Sequence, residues 1–282
     1  MKFIINKDYK TIRDYLSKFL LLSKKNLHVL NMAKDGIKLN GENVTLYKQI
    51  HSKDLLNIDI ELAKSNYIKN NSKNIKIEYE DEYILIASKP FGMKTHPNQT
   101  TLENDSLVNY LIGDRPYLEA IHRLDIDTCG LVVFSKSSLV KSKLDYMLEK
   151  RKIKRIYYAL VKNYMQEQTI ITNIGRDSIN KNKMAVTSKG KKAITNILKC
   201  EKFKDKYKLT LSLETGRTHQ IRVHLAYLNN PILGDRLYSK DYGMYENMYL
   251  GAIRIEFIHP ITLEKILVTS SLDNLFNQQK KQ

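Results

Sequence analysis

Between residues 11 and 33 apolar side chains recur at helical spacing in two runs. Thr11 to Leu22 forms the first, and Ser23 to Ala33 the second, with Ser23 placed to cap its start. Gly36-Ile37-Lys38-Leu39-Asn40-Gly41 then reads as a strand closing in an Asn-Gly turn. From residue 63 to 74 the sequence AKSNYIKNNSKN is polar and rich in Asn and Lys, the texture of a linker. Beyond Ile75 short alternating or continuous apolar runs predict strands over 75–80, 83–88, 131–135, 156–161, 193–198, 207–213, 254–258 and 265–269. Helical spacing interrupts them at 106–112, 137–148 and 218–228. Helices and strands are not evenly interleaved, which excludes a doubly wound parallel sheet and predicts an α+β domain around a mixed, largely antiparallel sheet. Three segments follow: a small unit over 1–62, a linker over 63–74 and a larger domain over 75–282, ending in the frayed tail QQKKQ.

Charge narrows the class of partner. The chain of 282 residues carries 47 Lys+Arg against 30 Asp+Glu, a net charge of +17 that favours polyanions. Residues 1–74 alone hold 14 Lys+Arg and 7 Asp+Glu, so the small unit is basic in its own right. The two cysteines, Cys129 and Cys200, have no metal-ligand spacing and form no disulfide framework, which suits a reducing cytoplasm. Neither a signal peptide nor a membrane-spanning run is evident, so a cytoplasmic protein is expected.

Three stretches can carry chemistry. In HRLDIDTCGL, His122 to Leu131, a polar turn holding Arg123, Asp125 and Asp127 leads directly into the apolar run Leu131 to Phe134. A carboxylate fixed by such a strand suits catalysis, and a partly buried one needs a cationic partner to stay ionised. Asp127 before Thr128 reads as a turn residue. A metal site from His122, Asp125 and Asp127 is conceivable, but hard-metal sites gather more carboxylates, and no metal is expected. The second stretch, Leu213 to Tyr238, places Arg217, His219, Gln220 and Arg222 near a helix start, where side-chain donors and the helix dipole favour phosphates or a carboxylate. It then turns through Asn229-Asn230-Pro231 back to Gly234-Asp235. In the third, Lys150 to Arg155 places five basic residues among six, Lys154 and Arg155 included, ahead of Tyr157-Tyr158. Strand alternation lets at most one of these tyrosines face a site, where it could stack on a base. Lys181, Lys183, Lys189, Lys191 and Lys192 read as a phosphate-contacting or simply solvated loop.

HRLDIDTCGL, KRIYYALV and TGRTHQIRVHL…NPILGD, in that order, resemble the RluA-type family of RNA pseudouridine synthases. YEDEYILIASKPFGMKTHP (Tyr79 to Pro97) and the Lys183–Thr195 region resemble its opening strand pair and central loop, so the likeness covers about residues 75 to 270. The unit ahead of it is similar to a degenerate ribosomal-protein-like RNA-binding module. The resemblance implies an isomerase that breaks the uridine glycosidic bond, turns the uracil and rejoins it through carbon, without cofactor or metal. It implies Asp125 as catalytic aspartate, Arg222 as its ion-pair partner and Tyr157 as the residue stacking on the flipped base. It further implies Arg123 as an aid to nucleotide displacement. The basic run and the helix start, read by themselves, make Lys154, Arg155, Arg217, His219 and Gln220 the expected RNA contacts. Two positions depart from the family pattern: Cys129 stands where Ser is usual, and Gly251 where His is common. A monomer acting on ribosomal RNA is expected, with transfer RNA the other site of action. The rival from another class is a non-catalytic, ribosome-associated RNA-binding factor.

Overall fold

The computed structural model describes residues 1–33, 35–60 and 62–276; the QQKKQ tail lies outside them. In chain order the elements begin with β1 (Lys2–Ile4), α1 (Ile12–Asp14), α2 (Lys24–Met32), β2 (Ile37–Leu39), β3 (Glu42–Asn43) and β4 (Leu55–Ile58). They continue with β5 (Ile77–Glu80), β6 (Ile84–Lys89), α3 (Leu107–Leu111), β7 (Glu119–Ala120), β8 (Cys129–Ser135), α4 (Ser138–Glu149) and β9 (Lys154–Val161). The remainder are β10 (Gln168–Arg176), β11 (Met184–Val186), β12 (Lys191–Phe203), β13 (Lys206–Leu213), α5 (Gln220–Tyr227), β14 (Leu250–Ile258) and β15 (Lys265–Thr269).

The first four strands form a sheet of order β1-β4-β2-β3. The helical spacing at 11–22 yields α1 and then a π-helical turn over Tyr15–Phe19, while Ser23 caps α2 by accepting from Asn26 N–H. The other strands make one mixed sheet, β11-β10-β12-β13-β9-β14-β8-β6-β5, with β15 on β14 and β7 on β8. Among the described residues β8 and β14 are its one parallel pairing.

The central strands read as continuous apolar runs because both their faces are covered. Leu131 and Val133 of β8, like Ile84 and Ile86 of β6, pack into a cluster that also holds α4 and the small first sheet. Val132, Phe134, Leu85 and Ala87 point the other way, into a second cluster with Tyr157, Ile221 and Leu225. The amino-terminal unit therefore shares its core with the back of the large sheet. Phe3 stacks on Tyr83 at 5.9 Å between ring centroids, and the Tyr83 hydroxyl donates to the Lys2 carbonyl. Residues 63–74 contain no helix or strand yet are held down: Ser65 and Tyr67 both bond Glu119, and Lys69 pairs with Asp114.

Gly130 occupies one of the tightest points of this frame. Its φ is +108°, and a Cβ there would stand 2.2 Å from the Ala252 carbonyl oxygen on the parallel neighbour β14. Gly130→Ala is expected to cost about 3 kcal/mol or more in denaturant unfolding, from backbone strain plus overpacking. An unchanged midpoint would refute this. Gly251, opposite Cys129, has no room for a side chain because Phe276 and Ile253 already fill the space. At this position the Phe276 ring takes up the volume.

Candidate active site

The turn between β7 and β8 and the start of α5 meet across a cleft of about 740 Å³, whose lining includes Arg123, Asp125, Arg155, Tyr157, Arg217 and His219. Rigid neighbours position Asp125. Thr128 N–H closes the turn onto the Asp125 carbonyl, Thr95 bonds the backbone of Leu124 both ways, and β8 follows immediately. Lys89 secures the same turn from below: fully buried at the end of β6, its ammonium donates to the carbonyls of Pro90, Met93 and Ile126. Burial lowers its pKa to about 8, against the pull of Cys129, Asp125 and Asp127. Burial likewise pushes the Cys129 thiol up to about 12, so it is no thiolate nucleophile at neutral pH.

Asp125 is 27% exposed and meets Arg222, which is only 3% exposed. Arg222 Nη1 donates to Asp125 Oδ2 at 3.1 Å, while its Nε and Nη2 donate to the two oxygens of Asp235, both at 2.8 Å. Asp235 is fully buried and also accepts from the backbone N–H groups of Leu237 and Tyr238. Burial opposes the Arg222 charge, but the Asp235 hydrogen bonds and the charges of Asp235 and Asp125 outweigh it and hold the guanidinium above its ordinary value. The result is a fixed cation offering one donor to a carboxylate in the cleft.

Tyr157 is buried in β9, and burial raises its pKa, so the phenol keeps its proton at neutral pH. Tyr158 faces the other side and packs edge-on against Phe276. His219, in the left-handed conformation at φ +56°, sits at the N-cap position of α5 without a side-chain cap bond and places Nε2 3.9 Å from Asp125 Oδ2.

Residues 83–227 match the RNA pseudouridylate synthase family. The chain belongs to that family. Residues 1–56 match the RluD ribosomal pseudouridine synthase N-terminal domain. The chain is 36% identical over 245 residues to YhcT of Bacillus subtilis (strain 168), named as an uncharacterized RNA pseudouridine synthase, covering 84% of this chain and 81% of that one. Ribosomal large subunit pseudouridine synthase D of Vibrio cholerae is 33% identical over 251 residues, 82% of this chain and 78% of its own. Among solved structures, human RNA Pseudouridylate Synthase Domain Containing 1 shares the fold, with a TM-score of 0.58 at 22% identity, over 72% of this chain and 94% of that one. The protein is thus an isomerase that acts on RNA, an RNA pseudouridine synthase.

Of the residues singled out in the sequence, the synthase brings Arg123, Asp125, Arg155, Tyr157, Arg217, His219 and Arg222 to one cleft. Two of the expected RNA contacts have other surroundings. The Gln220 side chain is saturated inside the protein: its oxygen accepts from Thr215 and from Arg217 N–H, and its nitrogen donates to Ile194 O and Thr195. It positions the loop before α5 and has no donor left for phosphate. Lys154 falls on the Tyr158 side of β9, opposite Arg155 and Tyr157, with Glu256 at 3.7 Å. Lys191 and Lys192 belong to β12, not to a loop, and Arg217 braces that strand through Nε to the Lys192 carbonyl.

His122 serves the frame. Its Nε2 accepts from Val133 N–H at 3.3 Å, and burial, with Arg155 adding to it, lowers its pKa to about 3. Between pH 6.5 and 3 the unfolded chain therefore binds a proton there that the native chain refuses. Stability should fall as pH drops through that window, by up to about 1.4 kcal/mol per pH unit from this group. Asp81 adds a loss of the same sign at lower pH: burial works against its charge, but bonds from His259, Tyr79 and the Ile84 and Tyr83 backbone hold its carboxyl below the usual range. His122→Asn should flatten the slope of urea midpoint against pH between 6.5 and 4.5, and an identical slope would refute the assignment.

Proposed function

We propose that this synthase isomerises uridines in ribosomal RNA, with Asp125 as the reacting carboxylate, Arg222 as its ion-pair partner and Tyr157 as the stacking face for the base. The observation that carries this reading is the chain Asp125–Arg222–Asp235, in which a buried, doubly anchored cation steers a carboxylate that reaches the cleft. A stacked nucleotide cannot bring its glycosidic bond to Asp125, so the uridine must swing out, at a cost of a few kcal/mol that is least in loops. Arg123, exposed at the cleft edge, is placed to fill the gap, and Arg155 and Arg217 to meet phosphates. Once the N1–C1′ bond is broken the uracil turns within the cleft and bonds C1′ through C5; C5 then gives up its proton to solvent or a nearby base, N1 takes one up, and no electrons enter or leave overall. The N-terminal match, the ribosomal relatives and the charge of +17 support ribosomal RNA as the substrate. We assign the 1–62 unit to RNA binding and 75–282 to chemistry, in a protein acting as a monomer. Mapping pseudouridine in total RNA from cells with and without the protein tests the substrate: sites lost from ribosomal RNA are expected, and losses confined to transfer RNA would overturn it.

A further inference from the structure

Tyr238 stands where the β10–β11 hairpin meets the start of α5. Three groups converge on its hydroxyl. Met184 N–H donates to it at 2.8 Å, the Met184 carbonyl accepts from it at 3.0 Å, and His219 Nδ1 lies 3.0 Å away. Its ring also lies 5.2 Å from the Arg222 guanidinium carbon, a cation–π distance. A phenol has one proton, and a carbonyl can only accept. All three contacts are therefore made together only when the phenol donates to Met184 and His219 carries its own hydrogen on Nδ1. Burial lowers the His219 pKa against the pull of Asp125, which favours the neutral ring, and in the neutral ring this tautomer has a bare lone pair on Nε2. That lone pair faces Asp125 Oδ2 across 3.9 Å. Two acceptors at this separation make no bond to each other, and a hydrogen-bond donor from the substrate would join them.

We infer that Tyr238 is a positioning residue that holds His219 as the Nδ1–H tautomer, so that Nε2 accepts an O–H or N–H of the target nucleotide beside Asp125. The groups with that chemistry are the ribose 2′-hydroxyl and the uracil N3–H. The inference rests on the assignment of Asp125 as the reacting carboxylate. Removing the Tyr238 hydroxyl strands the Nδ1 hydrogen, and the ring then gains more by moving its proton to Nε2, where Asp125 can accept it. The acceptor is lost and the carboxylate is masked by the same change.

The test begins with the full chain carrying 15N-labelled histidine. The His219 signals are identified by their absence in His219→Asn, a residue that tolerates a positive φ, keeps a donor near the Nδ1 position and lacks the Nε2 acceptor. The native protein should show the Nδ1–H pattern and Tyr238→Phe the Nε2–H pattern. Nε2–H in the native protein, or no change in the variant, would overturn the inference whatever the activities, whereas failure of the Asp125 assignment would be read separately from Asp125→Ala. Tyr238→Phe and His219→Asn should each lower kcat about tenfold on total RNA from cells lacking the protein, with KM within about twofold. With a synthetic RNA bearing the mapped uridine as 2′-deoxyuridine or as 3-methyluridine, the ratio of native to His219→Asn rates should collapse to about one on whichever analogue lacks the donor. Collapse on neither analogue would refute the acceptor role.

Discussion

Alanine at position 125 is expected to abolish pseudouridine formation, with kcat down at least about 10³-fold, while RNA binding stays within about threefold. The two effects separate because Arg222 does not depend on Asp125 for its charge. It keeps both 2.8 Å bonds to Asp235, so removing Asp125 strands no buried cation. Asp125 is itself 27% exposed, and its loss should cost no more than about 1 kcal/mol of stability. Asp125→Asn sharpens the test. An amide oxygen can still accept from Arg222 Nη1 and fills the same volume, yet the group is neutral and neither attacks nor takes up a proton. It should fail as completely as alanine in chemical mapping of pseudouridine. A variant with asparagine at 125 that retained a tenth of the native rate would remove Asp125 from the reaction. The non-catalytic alternative, an RNA-binding factor without turnover, would instead show native protein and both variants indistinguishable in modified sites and equal in binding.

Residue pattern revealed those parts of the fold whose environment is uniform, and missed those whose partners lie far along the chain. β6 and β8 are buried on both faces, so four or more apolar residues in a row announced them. β10 is not announced: QTIITNIGR mixes Thr, Asn and Gly with Ile, and it becomes a strand because β11 and β12 flank it. β1 and β4 of the small sheet were missed for the same reason, each supplying the other's ladder across fifty residues. At the site, Asp125, Tyr157 and Arg222 stood out through their surroundings. Asp235 and Tyr238 did not, although they lie in a loop seen to turn back, because a carboxylate thirteen positions after an arginine has no periodic signature. Strand alternation by itself puts Lys154 on the face opposite Arg155 and Tyr157. The sequence signal for Lys89 is its place just past Ser88 after the apolar run Ile84 to Ala87 and immediately before Pro90, where a lysine's stem is drawn into the core.

Asp235→Ala should damage both stability and turnover, and the two losses can be told apart. The substitution strips a 3% exposed guanidinium of its bidentate partner and leaves the Leu237 and Tyr238 N–H groups without their acceptor. Breaking a buried pair from one side costs about 3–5 kcal/mol, because an uncompensated charge remains. The remaining partner, Asp125, holds only one of the three donors at 3.1 Å, so Arg222 is free to pivot toward it or toward water. The carboxylate is then no longer held at its working position, and kcat should fall about 10²-fold at temperatures where the variant is folded. Asp235→Asn should land between, since its amide nitrogen turns a donor toward one of the two Arg222 donors while its oxygen still serves the other. The deciding case is the double variant Asp235→Ala with Arg222→Met. Removing the stranded cation should restore about 2 kcal/mol or more of the lost stability, yet the rate should fall further because nothing then steers Asp125. A common rise of stability and rate in the double variant would mean that Asp235 only maintains the fold. Stability rising while rate falls is what a cation held in place for the carboxylate beside it requires.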